Sequence, residues 1–591
     1  MLPKNILLSL SKPARYINHE LNAYHHSRKE SLKVCLAYPD IYEVGMSNLG
    51  FRIIYDILNQ QPDVLCERVF LPWVDLEDFL RKNNLTLCSL ESEIPLCEFD
   101  ILGISIHTEL NYTGVLNLLE LGKIPLFSAE REKGFPLIIA GGGSCFNPEP
   151  LTEFIDVFAI GEGEELILEI IKTCKNRMKY LKDKEGRKGI LRELAHLEGI
   201  YIPSFYKVEY HSDGTVKDFY PAVSTLPKKI KKRIVFDLDS VHYPRRTVVP
   251  YIEIIHDRIG IEIMRGCPHR CRFCQARNIY YPKRERSLEK IKELAYQNFL
   301  SSGYEEIALL SLSSLDHREI HNIFYVLNNM FKEQGVGISL SSLRINALMK
   351  KILKEYKGAH RSGLTFAPEV GTEKMRRLIN KNIDIDLFYE IIEDIFALGW
   401  RGLKLYFMIG LPGEDHNDIE GIIEMVYKIL KIKKGVGNNT GKIRLSFNIF
   451  VPKPHSSFQW LPMEKEILLE DKIKYLKERL KNRLIKYKIN SLEESWLEAL
   501  LSRGDRKLSK VILNAWKKGA KFDGWREQFN LSIWKEAIEE AKIDPDFYIY
   551  RKRTIEEKFP WDFIDTGVKK EDLISDYRNF EKSLTTDGGL I

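Results

Sequence analysis

The stretch EIMRGCPHRCRFCQAR, residues 262–277, sets Cys267, Cys271 and Cys274 close together at the end of an apolar run, IGIEIM (259–264). Their spacing is C-x3-C-x2-C. Thiolates are the ligands that hold iron–sulfur clusters. A loop with these gaps can wrap one face of a cubane, each sulfur reaching a different iron. Three ligands for four irons leave one iron open to a further ligand. The rival reading is zinc, whose structural sites are usually closed by four ligands. A fourth would have to come from His269 or from a distant residue, and no second C-x-x-C pair exists.

Outward from this loop the chain alternates strand and helix patterns. EEIALLSL (305–312), VGISLSSL (336–343), SGLTFAPE (362–369), RGLKLYFMIG (401–410) and KIRLSFNIF (442–450) follow IGIEIM as apolar runs. Helical patterns such as HNDIEGIIEMVYKILKIKK (416–434) separate them. Six strands with intervening helices over residues 248–462 predict a partial (β/α)6 barrel, whose active site lies at the strand C-termini. The cysteine loop falls at such an end.

An earlier series begins with LKVCLAY (32–38) and continues through DVLCERVF, FDILGISIH, FPLIIAGGG and FIDVFAIGEG. Continuous apolar runs of this kind suit parallel strands covered on both faces. Residues 1–170 therefore read as a doubly wound α/β domain, with ligands expected at the carboxyl ends of its strands. Residues 171–247 read as a linker carrying a hairpin that turns at Ser212-Asp213-Gly214, then a solvated basic connector, LPKKIKKRIV (226–235). Residues 463–591 lack apolar strand runs and read as a helical appendage. Its Trp516, Trp525, Trp534 and Trp561 sit among lysines and arginines and are expected to be packing anchors rather than base-stacking platforms.

The 591 residues carry 89 basic and 83 acidic side chains, a net of only +6. Such a balance neither demands nor excludes nucleic acid, which needs a local basic groove rather than a large total. No apolar stretch is long enough to span a membrane, and no cleavage site follows the short apolar run near the N-terminus. A cytoplasmic protein without a membrane partner is expected. Nine cysteines, an odd number without a secretory signal, argue against a disulfide framework. Cys35, Cys66, Cys88, Cys97, Cys145 and Cys174 read as small buried hydrophobes.

The cysteine spacing, Phe273 before the last cysteine and the strand-end motifs resemble the radical S-adenosylmethionine (SAM) superfamily. The likeness is closest to the branch with an Elp3/MiaB-type barrel, and within it to a subfamily with a cobalamin-binding-like N-terminal domain. The resemblance implies a 4Fe-4S cluster on Cys267, Cys271 and Cys274, with SAM at the open iron and homolysis to a 5′-deoxyadenosyl radical. It implies Phe273 against the adenine, and Ser311 and Ser313 of LLSLSSLD (309–316) near the methionine amino group. Glu369 of TFAPEVGTEK, Gly410 of MIGLPGED and Val451 of FVPKPHSSFQW would complete the cofactor pocket. A low-potential electron donor of flavodoxin or ferredoxin type is implied as partner, with RNA or protein as substrate.

In the first domain, YPDIYEVGMSNLG (38–50) is similar to the cobalamin signature Asp-x-His-x-x-Gly, with Asp40 and Gly45 in place and Tyr42 where the histidine stands. Ser105 and the run Gly141-Gly142-Gly143 resemble the serine and diglycine elements. Without the histidine, cobalt would lack its lower protein ligand. GEGEE (161–165) reads alone as a weak phosphate-loop signal.

Three functions follow in order. The first is radical modification, such as methylation, of an unactivated position. The second is methylthio transfer to RNA, whose family carries three further cluster cysteines that the scattered ones here do not reproduce. The third is a cluster-bearing RNA-binding adaptor without turnover, which would not need Glu369 and the glycine motifs.

Overall fold

Three mainly parallel sheets assembled from βα units frame the molecule, one in the first domain and two in the barrel. The computed structural model describes residues 4–25, 31–177, 181–355, 363–437 and 441–587. In the first sheet β1 (Leu32–Tyr38), β2 (Val64–Phe70), β3 (Ile101–Ser105), β4 (Leu137–Gly141) and β5 (Val157–Ala159) run parallel in the order β2-β1-β3-β4-β5. The order reverses between β1 and β3, which makes a crevice at their carboxyl ends. Every residue of β2 is buried, as expected of a strand covered on both faces. Helices α1 (Leu49–Asn59), α2 (Tyr112–Leu121) and α3 (Gly163–Asn176) supply the cover, and α1 packs on α3. Asn48 starts α1 by accepting a hydrogen bond from the Phe51 amide. A sixth strand, β6 (Ile200–Tyr201), joins antiparallel from the stretch read as linker.

The expected hairpin forms as β7 (Tyr206–Tyr210) and β8 (Val216–Pro221). The connector after it is not the solvated segment that its charge suggests. Ile230–Lys231 is strand β9, and Lys232 is only 1% exposed. The Lys232 ammonium donates to the carbonyls of Asn278, Ile279 and Tyr281 at 3.2, 2.9 and 2.6 Å, just beyond the cysteines.

The second series gives β10 (Ile259–Glu262), β11 (Met264–Arg265), β12 (Arg284–Glu285), β13 (Glu306–Leu310), β14 (Gly337–Leu340), β15 (Gly363–Glu369), β16 (Gly402–Ile409) and β17 (Ile443–Ile449). β10, β13 and β14 form one parallel sheet, and β15–β17 begin a second. A single bridge from Leu343 to Phe366 links the two into an open barrel. The region read as strand-free adds a seventh barrel strand, β18 (Ile485–Ile489), parallel to β17. Its sequence, IKYKI, has too many cations to read as an apolar run. β11 and β12 pair antiparallel, so residues 266–283, with all three cysteines, form a loop pinned at its base.

The rest of the C-terminal region is mostly helical. Leu508–Lys517 (α4) rests on α2, Leu531–Ala541 (α5) packs on α4, and β19 (Ile564–Asp565) pairs with β9. The tryptophans are anchors. Trp534 and Trp561 are buried, Trp525 Nε1 donates to Asp40 Oδ1 at 2.9 Å, and Trp516 Nε1 donates to Asn117. Among the described residues no helix is long and apolar enough to cross a membrane.

Candidate functional site

Gly266 opens the cysteine loop with φ +81°, and a Cβ there would meet the carbonyls of Pro282 and Tyr280 at 2.6 and 2.8 Å. Only glycine lets the chain cross its own return so closely. Beyond it Cys267, Cys271 and Cys274, all free thiols, line a cavity of about 790 Å³ at the barrel mouth. Burial pushes all three thiols up, Cys274 to about 11. At Cys271 the cations of Lys381 and Arg344 oppose that rise.

Among the described residues no group of three His, Cys, Asp or Glu is arranged around a single metal ion. Three thiolates on one loop are the donor type that holds iron–sulfur clusters.

Around the cysteines the cavity gathers Phe273, Ser313 and Glu369 of the expected set. Glu369 ends β15 with φ +68°, a left-handed conformation costly for a residue with a side chain. Its carboxylate pairs with Lys381 Nζ at 2.8 Å. Three cavity residues lay outside the expected set or at its edge. His269 sits inside the loop and pairs with Asp316 at 2.6 Å, Lys381 holds Glu369, and Arg344 faces Cys271. Burial would raise the Asp316 carboxyl, but hydrogen bonds from His269 and Ser313 outweigh it and hold the group below its usual range.

Gly410 and Val451 do not line the cavity. Gly410, with φ +78°, donates its amide to Glu414 and packs where a Cβ would strike Leu469, while Val451 is buried in the core. Ser311 points to a different space and shares a hydrogen bond of 2.9 Å with Ser314.

That space is a second cavity of about 520 Å³ between the first sheet and the barrel. Leu36, Ile53, Ile139 and Leu166 give it apolar walls. Gly103 and Gly141 leave room along the strands, and Ser105, His107, Glu162 and Arg265 form a polar rim. Gly142, with φ +117°, also lines it, but a Cβ there would lie 2.3 Å from the Ile106 carbonyl oxygen. That glycine is required by the close approach of β3 and β4, whatever the cavity holds.

The signature loop after β1 turns away. Tyr42 is 2% exposed and donates to Glu20 at 2.9 Å, Asp40 accepts from Trp525 and Asn111, and Gly45 packs under the Phe70 ring. The imidazole among the cavity's lining residues is instead His107, 3.1 Å from Ser105 Oγ and stacked on Tyr38. Its position two residues beyond Ser105, at a strand end, was the signal available in sequence.

GEGEE does not serve as an anion loop either. Glu162 and Glu164 pair with Arg265 at 3.0 and 2.6 Å, and Glu162 also with Arg284. The loop thus fastens the first domain to the base of the cysteine loop. Leu312, after β13, lines both cavities.

Residues 261–426 match the family model described as the radical SAM superfamily, and residues 50–203 match the one described as radical SAM proteins, N-terminal. The chain carries a radical SAM catalytic domain, whose general chemistry is cleavage of SAM at an iron–sulfur cluster to generate a radical. An uncharacterized protein of Methanocaldococcus jannaschii is 28% identical over 520 residues, spanning 85% of this chain and 98% of that protein. The ribosomal protein uS12 methylthiotransferase RimO of Thermoanaerobacter sp. is 20% identical over 317 residues, 50% of this chain and 70% of that one. Among solved structures, the cobalamin-dependent S-adenosylmethionine radical enzyme OxsB matches with a TM-score of 0.45 at 12% identity, covering 99% of this chain and 85% of that one. The radical S-adenosylmethionine methyltransferase TsrM of Kitasatospora setae also scores 0.45 at 12% identity, covering 70% and 73%.

Proposed function

We propose that Cys267, Cys271 and Cys274 hold a 4Fe-4S cluster, that the second cavity takes a cobalamin, and that the enzyme methylates or similarly modifies an unactivated position. Bound in the first cavity, cluster and SAM supply a 5′-deoxyadenosyl radical, and the protein supplies position and exclusion of water. The observation that carries this reading is the adjacency of two cavities, of about 790 and 520 Å³, separated by the loop after β13, with Leu312 lining both.

In this reading Phe273 lies against the adenine. Glu369, held by Lys381, binds the cofactor's polar end, and Arg344 supplies positive charge beside Cys271. Gly410 and Val451 act from behind the wall by setting the paths of the loops after β16 and β17. In the second cavity Ser105 and Gly141 border the cobalamin tail. His107, not the signature position held by Tyr42, is the imidazole on offer to cobalt.

Methylthio transfer ranks lower. The six remaining cysteines are dispersed, and Cys35, Cys66, Cys145 and Cys174 are buried in the first domain. They offer no shared face for a second cluster. A low-potential flavodoxin- or ferredoxin-type donor completes the scheme.

The test is anaerobic reconstitution with iron, sulfide and hydroxocobalamin, then incubation with SAM and reductant. Retained cobalamin together with 5′-deoxyadenosine supports the reading. Deoxyadenosine without cobalamin retention would leave a cobalamin-independent radical enzyme.

A further inference from the structure

We propose that the barrel's substrate is a single-stranded RNA, its phosphates laid on a row of cations formed by Lys404, Arg444 and Lys486. The assignment of RNA as substrate rests on the barrel being the catalytic domain described above; the binding site itself does not. The three residues are register partners on β16, β17 and β18, Lys404 opposite Arg444 and Arg444 opposite Lys486. Register partners in a parallel sheet share a face. Their neighbours Leu403, Leu405, Ile443, Leu445 and Ile485 are buried on the other face. Two residues along the same face stands Tyr406, which lines the cysteine cavity. The cationic row therefore faces the barrel interior, below the cavity.

The arrangement is unfavourable on its own account. Neighbouring strands lie about 4.8 Å apart, and like charges placed opposite one another destabilise a sheet. None of the three makes an ion pair among the described residues; Lys404 is half-buried, and Arg444 and Lys486 are exposed to any ligand that enters. Lys404 Nζ rests 4.6 Å from the Tyr406 ring centroid. The excess is local rather than compositional. From 425 to 463 the sequence has no acidic residue but seven lysines and arginines, and from 479 to 492 it has none against five, in a chain of net charge +6. Exposed Lys442, Lys481 and Arg483 extend the row near the strands' N-terminal ends.

A row across three strands spans about 10 Å, too wide for one phosphate to neutralise. A polyanion fits it. Tyr406, between the cations and the cysteines, offers a flat face on which a base can stack. Beyond it on the same face, Asn490 Nδ2 donates to Asn448 Oδ1 at 3.0 Å, leaving amide groups that can meet base edges. An acidic peptide would use the cations but neither of these features. From Lys404 to the end of β16 the strand rises about 17 Å, so a strand anchored on the row can present a nucleotide a few positions on to the cysteine loop.

The test is fluorescence anisotropy of the reconstituted full-length protein with a single-stranded RNA oligonucleotide, titrated across salt, with polyglutamate as competitor. Affinity should fall with salt by about 0.7 log units per log unit for each phosphate neutralised. The triple variant K404Q/R444Q/K486Q should bind at least about tenfold more weakly, with a slope shallower by about 2. K228Q/K229Q, on the connector, should match the wild type in both. Iron content of the triple variant reports its folding. Wild-type affinity and slope in the triple variant, or displacement of RNA by polyglutamate at equal charge, would overturn the proposal. Wild-type formation of 5′-deoxyadenosine is measured separately, and its absence would count against the catalytic reading while leaving the binding result intact.

Discussion

Arg284 donates two hydrogen bonds to Glu162 across the junction between the first sheet and the cysteine loop, Nη1 to Oε2 at 2.7 Å and Nη2 to Oε1 at 2.8 Å. Both side chains are buried, and Arg265 joins them from the opposite strand of the same ribbon. Breaking a buried pair by removing one partner leaves an uncompensated charge, at a cost of about 3–5 kcal/mol. Glu162→Gln should therefore lower the unfolding midpoint markedly and speed the loss of iron on dilution. Arg284→Lys should not preserve the wild-type midpoint, since an ammonium cannot make the paired contact. Thermal unfolding and iron release measure both. A Glu162→Gln midpoint equal to wild type would mean that the junction is held elsewhere.

The cysteine loop gives the most direct test. Reconstituted protein should hold about four irons per chain. Replacing Cys267, Cys271 and Cys274 together by Ala should abolish them, whereas Cys35→Ala, in the first domain's core, should leave them. Iron analysis and the electron paramagnetic resonance of the reduced protein read the outcome. A cluster signal surviving in the triple variant would refute the ligand assignment.

Glu369 combines a strained backbone with a paired carboxylate, so its two roles can be separated. Glu369→Ala should keep the iron yet weaken SAM binding and 5′-deoxyadenosine formation. Glu369→Gly, which loses the same ion pair, should do the same but be more stable than Glu369→Ala by about 1 kcal/mol, because glycine adopts φ +68° without penalty. Calorimetry with SAM and a denaturation curve check the pair. Unchanged SAM affinity in both variants would remove Glu369 from the pocket.

The second cavity calls for a variant that fills space without breaking the sheet. Gly142 is unsuitable, since any side chain there strikes the Ile106 carbonyl. A Cβ on Gly141 meets nothing closer than 3.6 Å, and the residue lines the cavity. Gly141→Leu should fold and lose cobalamin retention in equilibrium dialysis, while Gly435→Ala, at the open end of the helix His416–Gly435, should retain it. Reduced to the cobalt(II) state, wild type should show nitrogen hyperfine splitting that His107→Ala lacks. Retention by Gly141→Leu equal to wild type would place the cofactor elsewhere.

Much of this architecture was legible in the sequence. The five strands of the first series read as continuous apolar runs, as strands covered on both faces do, and the six of the barrel series were visible from their apolar residues although β16 and β17 bury only one face. β18 was not, because its lysines line an open barrel wall and break the run. The cysteine loop was legible from spacing alone. His269, Lys381 and Asp316 were not, since a pair formed between separate loops leaves no local pattern. Tyr42 misled for the opposite reason: its place in a motif was visible, but the direction in which its loop turns depends on Glu20, Trp525 and Phe70, distant in sequence. The glycines of GEGEE pointed to a phosphate, whereas its carboxylates pair with Arg265 and Arg284 of this same chain.

Asp523 ties the C-terminal region to the first domain and should make that docking sensitive to pH. Its carboxylate accepts from Thr113 Oγ1 at 2.5 Å and from Trp534 Nε1 at 2.8 Å, with no cation beside it. Burial raises its pKa from 3.8 to about 6, and the two hydrogen bonds only partly offset that rise. Because the folded pKa lies above the unfolded one, the folded state holds the proton more tightly. Its contribution to stability is then greatest below about pH 4 and falls as pH rises toward about 6, by roughly 3 kcal/mol in all. Asp523→Asn keeps an acceptor for Trp534 and a donor for Thr113 without a charge to bury. The variant should therefore be more stable than wild type at pH 7, with the difference shrinking as pH falls from about 6 to about 4. Denaturant unfolding of both proteins across that range, monitored by tryptophan fluorescence, gives the difference directly, and other titrating groups cancel in it. Parallel curves for the two proteins would show that Asp523 is not protonated on folding in this window.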